Sequence, residues 1–134
     1  MLKYMLDTNI VIYTMKNKPE EVREAFNAHE EELCISTVTL MELHYGAEKS
    51  TDPMKSTRIV EAFTARLAVL DYDTAAAQHT GQIRAELAKI GKPIGPYDQM
   101  IAGHARSVGL ILVSNNLSEF ERVPGLRFDN WTKQ

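Results

Sequence analysis

Short, continuously apolar runs that alternate with longer amphipathic stretches restrict the fold of this chain more than any other feature. Strands that are apolar at every position are typical of a parallel sheet covered by helices on both faces. We therefore predict an α/β fold of three layers, in which a central parallel sheet of four to five strands is flanked by helices. The predicted strands are residues 3–7, 33–36, 67–70 and 110–114, with residues 126–131 as a candidate fifth.

Helical spacing and end signals predict the helices between these strands. Asp73 has the position of an N-cap for one helix, and Gly91 has that of its C-terminal stop. The buried stripe of this helix is predicted to be Ala76, Thr80, Ile83, Leu87 and Ile90. A second helix begins near Pro53 and carries Ile59, Val60, Phe63 and Leu67 on one face. Residues 19–31, 37–49 and 96–107 are predicted to form three more.

Length and composition fit one soluble domain, because 134 residues with 44% hydrophobic and 25% charged side chains can bury a single core. No apolar stretch approaches the roughly 20 residues that span a bilayer, and Asp7 interrupts the N-terminal run before it resembles a signal peptide. The single cysteine, Cys34, is expected to be a core residue and fits a reducing cytoplasm. A net charge of −3 argues against a general nucleic-acid coat protein, but it permits an enzyme that meets phosphate through bound cations.

Acidic side chains fall where the predicted strands end and helices begin. Asp7 closes the first strand, Glu42 lies in the helix that follows the second, and Asp98 stands near the start of a helix. Asn116 and Glu119 follow the fourth strand. Ligand sites of parallel sheets lie at the carboxyl edge, so these side chains are expected to meet there.

A cluster of this kind needs a cation or protons. Two carboxylates about 4 Å apart repel by roughly 4 kcal/mol at an effective dielectric constant near 20. Mg²⁺ or Mn²⁺ suits a site of a few carboxylates and water molecules, so we predict one of these ions as the cofactor.

Each acidic residue also has a simpler interpretation. Asp7 has the position to cap a helix that starts near Asn9, an interaction worth about 1 kcal/mol. Asp98 lies in the first turn of its helix, where the helix dipole favours an acid. Glu42 fits a solvent-facing stripe, and Asn116 and Glu119 fit an ordinary helix start. The residues taken one at a time leave these alternatives open.

Four segments together resemble PIN-domain proteins and, within them, the VapC toxins of bacterial VapBC toxin–antitoxin pairs. The segments are "MLDTNI", "TLMELHYGA", "IGPYDQMIAGHA" and "LVSNNLSEFERV". The resemblance extends from Met1 to about Trp131, which implies that residues 1–134 form a single PIN domain with a PIN-like three-layer sandwich. It also implies an endoribonuclease that depends on Mg²⁺ or Mn²⁺.

The resemblance assigns roles residue by residue. It implies that Asp7, Glu42 and Asp98 bind the metal and act in catalysis. Asn116 departs from the acidic pattern of the family, and Glu119 is expected to supply the missing charge as a further metal-binding and catalytic residue. The positions that usually orient these acids through hydrogen bonds correspond here to Thr8, Asn9 and Ser114.

The same resemblance implies partners. VapC toxins of this kind cut structured RNA, and the implied substrate is the anticodon stem-loop of initiator tRNA, so that cleavage inhibits translation. A homodimer, a cognate VapB antitoxin and a higher toxin–antitoxin complex are implied, and promoter DNA is bound only through the antitoxin. Candidate phosphate contacts are Lys49, Arg84, Lys92 and Arg106, with Lys89 and Arg122, although a solvated helix face explains each of them individually.

Two other function classes fit parts of this pattern. A Mg²⁺-dependent phosphotransfer protein would need a lysine after a later strand, where this chain has "LILVSNN". The phosphatase pattern also needs a second acid two residues after the first, and Asn9 occupies that place. A non-catalytic PIN-fold module would use the acidic pocket only to dock a basic partner, and Asn116 favours this alternative. The four histidines lack zinc-site spacing and are expected in the core or on the surface.

Overall fold

A five-stranded sheet, parallel throughout, organises the molecule. The computed structural model describes residues 1–16 and 19–132. The strand order is β3-β2-β1-β4-β5, so the first strand is central and the chain winds outward from it in both directions. The predicted parallel sheet and its strand number are confirmed. The strands are β1 (Tyr4–Leu6), β2 (Leu33–Ser36), β3 (Ala68–Leu70), β4 (Ile111–Val113) and β5 (Phe128–Asp129).

Helices cover both faces of this sheet, which gives the three predicted layers. A 3-10 turn at Glu30–Glu32 leads into β2, and among the described residues no helix combines the length and apolar character that a bilayer crossing requires. The helices are α1 (Thr8–Lys16), α2 (Glu20–Ala28), α3 (Thr37–Glu48), α4 (Pro53–Thr64), α5 (Thr74–Lys89), α6 (Pro96–Val108) and α7 (Leu117–Phe120).

Strand residues alternate between two cores because successive side chains of a strand point to opposite faces. Tyr4 and Leu6 belong to the core that α1, α2 and α4 cover, together with Phe26 and Phe63. Met5 points the other way, into the core beneath α5 and α6. Both faces of β1 are therefore buried, as the continuous apolar pattern predicts.

Helix ends differ from the sequence predictions at three places. The helix expected over residues 19–31 ends at Ala28, and its acidic tail forms the 3-10 turn instead. The helix that begins at Pro53 ends at Thr64, so Leu67 packs on the core from the connection before β3. Ile90 is 58% exposed, because the helix it was assigned to ends one residue earlier and Gly91, with φ of 67°, turns the chain away.

Helices α5 and α6 approach each other closely at Gly103. A Cβ atom there would lie 2.1 Å from Thr80 Oγ1 and 2.7 Å from the Thr80 backbone nitrogen. No side chain larger than hydrogen fits without separating the two helices. Since α6 begins two residues before Asp98, this contact helps to set the position of that acid.

Candidate active site

Asp7 directly follows β1 and is buried, with 4% of its surface exposed. Its Oδ1 accepts a hydrogen bond of 2.9 Å from the backbone N–H of Ile10, so it caps α1. Its own backbone N–H donates to the carbonyl of Val113 and continues the pairing between β1 and β4. The capping interpretation of Asp7 is therefore confirmed. The helix begins at Thr8, one residue before the predicted start near Asn9. The cap engages Oδ1.

Burial also raises the pKa of Asp7 to about 6 from an ordinary value of 3.8. Hydrogen bonds from the Ser114 side chain and the Ile10 backbone oppose this rise, and the charge of Glu42 adds to it. Ser114 Oγ accepts from the Asn116 backbone N–H at 2.9 Å, which directs its hydroxyl proton toward the Asp7 carboxylate. Ser114 therefore contacts the Asp7 carboxylate through its side chain.

Glu42 reaches the same edge from the middle of α3. Thr8 Oγ1 donates to Glu42 Oε1 at 2.6 Å, and it also lies 3.4 Å from Thr39 Oγ1. Thr8 is the first residue of α1, next to Asp7, so this hydrogen bond fixes the Glu42 carboxylate relative to the capped helix end. Asn9 is exposed and lines the same cavity as these residues.

Asp98 and Glu119 form the other half of the cluster. The pKa of Asp98 rises to about 7, first because of burial, then because of a hydrogen bond with the Glu119 carboxyl group, and then because of the charges of Glu119, Asp7 and Glu42. Glu119 Oε2 is buried and has no hydrogen-bond partner among the described residues. A Cβ on Gly95 would approach Asp98 Oδ2 to 3.3 Å, so a glycine there leaves room for the carboxylate.

One cavity of about 420 Å³ connects these groups, lined by residues from α1, α3 and α6. Glu119 and Ser114 lie behind its wall, where they contact Asp98 and Asp7. The lining residues are Asp7, Thr8, Asn9, Ile12, Glu42, Tyr45, Gly46, Lys49 and Asp98.

The donor chemistry of this cluster fits a hard dication. Every acid presents oxygen, Glu119 Oε2 is an unpartnered buried acceptor, and mutual repulsion favours protonation of Asp98. In residues 1–16 and 19–132, no group of three or more acidic, histidine or cysteine side chains already stands at metal-binding distances. Among the described residues, the acids are therefore neighbours and do not form a closed cage.

Three other predicted residues have different surroundings. The Asn116 side chain accepts a hydrogen bond from Ser118 Oγ at 3.2 Å, and Asn116 is not among the residues that line the cavity. Arg84 lies exposed on α5, and Lys92 lies exposed in the connection to α6. None of these three residues lines the acidic cavity, and the roles predicted for them stay predictions.

Arg106 has several hydrogen-bond partners within the protein. Its guanidinium donates to His79 Nδ1 at 2.9 Å, to the Pro124 carbonyl at 2.7 Å and to Gln82 Oε1 at 2.8 Å. These bonds hold α6 against α5 and the connection before β5, eight residues and about 12 Å along the helix from Asp98. The phosphate contact of Arg106 stays a prediction, and in this structure the guanidinium bonds within the protein.

Two features of the site were missed from the sequence. Tyr45 lines the acidic cavity, and its spacing of three residues from Glu42 was the available signal. His104 is buried, and its Nδ1 lies 2.8 Å from Ser36 Oγ, the hydroxyl that caps α3. This contact joins the helices that carry Asp98 and Glu42. Burial lowers the pKa of His104, which favours a neutral ring.

Comparison with known proteins agrees with this geometry. The family model described as "PIN domain" matches residues 4–126. The chain belongs to the PIN-domain family. Within that family, it is 65% identical over 131 residues to the tRNA(fMet)-specific endonuclease VapC of Salmonella typhimurium, covering 98% of this chain and 99% of the relative. It is 56% identical over 131 residues to the ribonuclease VapC2 of Haemophilus influenzae, covering 98% and 99%.

Solved PIN-domain structures superimpose closely. DNA-bound VapBC from Salmonella typhimurium contains a chain with TM-score 0.94 and 64% identity, covering 98% of this chain and 100% of that one. VapBC2 from Rickettsia felis, bound to a DNA fragment from its promoter, gives TM-score 0.91 and 33% identity, again covering 98% and 100%. The expected PIN-like sandwich and the resemblance to VapC are confirmed.

Proposed function

We propose that this chain is the toxin of a type II toxin–antitoxin pair and a site-specific endoribonuclease that cuts the anticodon stem-loop of initiator tRNA and so inhibits translation. The observation that carries the proposal is the convergence of Asp7, Glu42 and Asp98 on one cavity, with Glu119 against Asp98. Such charge crowding is costly unless protons or a cation neutralise it. The similarity to a tRNA(fMet)-specific endonuclease supports the substrate.

We assign the four acids to a Mg²⁺ or Mn²⁺ site. Asp7, Glu42, Asp98 and Glu119 would hold the ion, with Asn116 as a weaker candidate ligand. A bound dication supplies Lewis-acid activation of a phosphate and lowers the pKa of water. Thr8 and Ser114 orient their partner carboxylates by the hydrogen bonds described, and Asn9 lines the cavity opening.

Asp98 is the residue best suited to exchange a proton. Without a bound ion its pKa rises to about 7, first through burial and then through Glu119, so the carboxyl group can exchange a proton near physiological pH in that state. Glu119, in hydrogen-bond contact, is placed to share that proton. Asp7 keeps its orientation during this exchange because its Oδ1 is committed to the cap of α1.

An apolar groove beside the acidic cavity supports a VapB antitoxin as partner. This groove of about 440 Å³ lies between α1, α3 and α4, and it shares Ile12, Glu42 and Gly46 with the acidic cavity. An apolar antitoxin segment seated there would bring a basic side chain within reach of the acids, which opposite charge favours. Solved VapBC structures with bound DNA support promoter binding through the antitoxin.

We further propose a single PIN domain over residues 1–134, a homodimer that joins a higher complex with the antitoxin, and action in the cytoplasm, where tRNA is found. The family model spans residues 4–126, and both cores pack on one sheet, which supports the single domain.

Cleavage of initiator tRNA by the purified chain tests the function. We expect specific cuts in the anticodon stem-loop with Mg²⁺ or Mn²⁺, none in EDTA, and loss of cleavage in Asp98→Asn. Asp73→Asn is the matched control, because it makes the same change at a helix cap outside the cavity and asparagine caps equally well. An intact tRNA after incubation of the folded wild type with metal would overturn the nuclease, and equal activity of the Asp98→Asn variant would overturn the site.

A further inference from the structure

Tyr45 stands at the opening of the acidic cavity with most of its ring in solvent. It lies on α3, and 64% of its surface is exposed. It lines the cavity together with Glu42, three residues earlier on the same helix. An exposed aromatic ring beside a group of acids is not needed by either core, since Tyr45 belongs to neither.

Lys49 extends the same helix face. Its Nζ lies 4.9 Å from the centroid of the Tyr45 ring, and it also lines the cavity. Along the helix axis, Tyr45 is about 4.5 Å and Lys49 about 10.5 Å beyond Glu42. An acid, an aromatic face and a cation therefore follow one another along one helix face, and all three line the cavity.

This order matches the chemistry of a single RNA strand. Unpaired bases stack on aromatic side chains, and the backbone phosphates pair with lysine. A base within a duplex has no free face, so the arrangement selects an unpaired nucleotide of a loop. The space beside Gly46 is open, because a Cβ built there would meet nothing within 4 Å.

Resting on the proposed nuclease function, we propose that Tyr45 is the stacking platform for an unpaired base next to the scissile phosphate, and that Lys49 pairs with the phosphate that follows it. The cation–π contact between Lys49 and the ring holds both side chains near their bound positions. Tyr45 thereby contributes to the choice of a loop over a stem as the site of cleavage.

Three substitutions separate stacking from mere apolar contact. Tyr45→Phe keeps the aromatic face, Tyr45→Leu keeps apolar surface without it, and Tyr45→Ala removes both. We expect KM for an anticodon stem-loop to rise about tenfold in the Leu and Ala variants, with kcat changed less than about twofold and the Phe variant close to wild type. Phe128→Leu, an exposed aromatic residue on β5, is the matched control.

A spectroscopic signal reports stacking directly. A stem-loop with 2-aminopurine beside the cleavage position should lose fluorescence on binding wild type and Tyr45→Phe, and should stay bright with Tyr45→Leu. Lys49→Ala should weaken RNA binding and reduce its salt dependence, whereas Lys55→Ala on exposed α4 should not. Affinity for Mn²⁺, measured by calorimetry, should be the same in all Tyr45 variants.

The outcomes distinguish the stacking role of Tyr45 from the proposed nuclease function on which it rests. If wild type fails to cut any RNA, both proposals fall. If wild type cuts but Tyr45→Leu matches it in KM and in fluorescence quenching, only the stacking role is overturned. A third outcome combines two results: 2-aminopurine stays bright with wild type and with every variant, and light scattering shows that Tyr45→Ala changes the protein from dimer to monomer. This outcome would overturn the stacking role and place Tyr45 in an interface between copies of the chain.

Discussion

Thr8 Oγ1 donates a hydrogen bond of 2.6 Å to Glu42 Oε1, joining the first turn of α1 to the middle of α3 across 34 residues of sequence. Thr8 follows Asp7, whose carboxylate caps the same helix end. Asp7 and Glu42 are therefore both held at the start of α1. A substitution at Thr8 removes the hydrogen bond to Glu42 and leaves the Asp7 cap in place.

Replacing Thr8 with Val should weaken cation binding more than folding. Valine keeps the shape but removes the hydroxyl, so the half-buried Glu42 carboxylate becomes free to turn toward solvent. We expect Mn²⁺ affinity to fall roughly 10- to 100-fold, as is typical when a ligand loses its orienting partner. The free energy of unfolding should change by only about 1 kcal/mol. Calorimetric titration and urea unfolding measure the two effects.

Thr8→Ser should retain Mn²⁺ affinity, because serine supplies the same donor. Thr64→Val removes a threonine hydroxyl that bonds within α4, and it should leave the affinity unchanged. Equal affinities for Thr8→Val and wild type would show that Glu42 does not depend on this hydrogen bond.

Two substitutions at Asp7 separate its structural role from its charge. Asparagine caps helices as well as aspartate does, so Asp7→Asn should be at least as stable as wild type near pH 7.5, where it also removes repulsion with Glu42 and Asp98. Asp7→Ala lacks the cap and should be about 1 kcal/mol less stable than Asp7→Asn. Both should lose metal-dependent cleavage. Thermal or urea unfolding tests the order of stability, and a tRNA cleavage assay tests the loss of activity. The prediction fails if Asp7→Asn is less stable than Asp7→Ala or keeps its activity.

Stability without metal should fall as pH rises. The folded pKa of Asp7, about 6, lies above its ordinary value of 3.8, so the folded state binds the proton more tightly than the unfolded state does. Between about pH 4 and 7 the free energy of unfolding should therefore decrease, by at most about 3 kcal/mol from Asp7. Asp98, with a folded pKa of about 7, changes stability in the same direction, though solvent exposure reduces its share.

Urea midpoints of the EDTA-treated protein between pH 4.5 and 8 measure this slope. Asp7→Asn should flatten it, and Mn²⁺ at pH 8 should restore stability, because a cation replaces the proton. A midpoint that rises steadily across this range would contradict the assigned burial of the acids.

Gly103→Ala should destabilise the protein by roughly 1–3 kcal/mol, since the added methyl group overlaps Thr80. Removing the Thr80 hydroxyl in a Gly103→Ala/Thr80→Ala double variant should recover only part of the loss, because the Thr80 backbone nitrogen is also too close. The matched control is Gly81→Ala on α5, where a Cβ meets nothing within 4 Å and helix propensity should raise stability by about 0.5–1 kcal/mol. Thermal denaturation followed by circular dichroism ranks the three proteins, and a neutral Gly103→Ala would show that α5 and α6 can separate freely.

Much of the fold is local in origin, which is why the sequence predicts it. Asp73 caps α5 by accepting a hydrogen bond from the backbone N–H three residues later, which is a local contact. Gly91 turns the chain away from the helix through its own positive φ, which is also a local property. Burial of β1 on both faces follows from its unbroken apolar run. Helix ends were less predictable where tertiary contacts compete with periodicity, as at Ile90 and Leu67.

The sequence by itself determined the kinds of element, the parallel sheet and the placement of Asp7 at a strand end and Asp98 near a helix start, since all of these depend on spacing along the chain. Tertiary structure alone decided which groups touch: that Thr8 holds Glu42, that Asp98 meets Glu119, and that Arg106 bonds to Gln82 on α5. These contacts join residues far apart in sequence, and their distances are set by sheet order and by how closely helices such as α5 and α6 pack. A pattern of residue types carries no information on such distances until the layers have assembled.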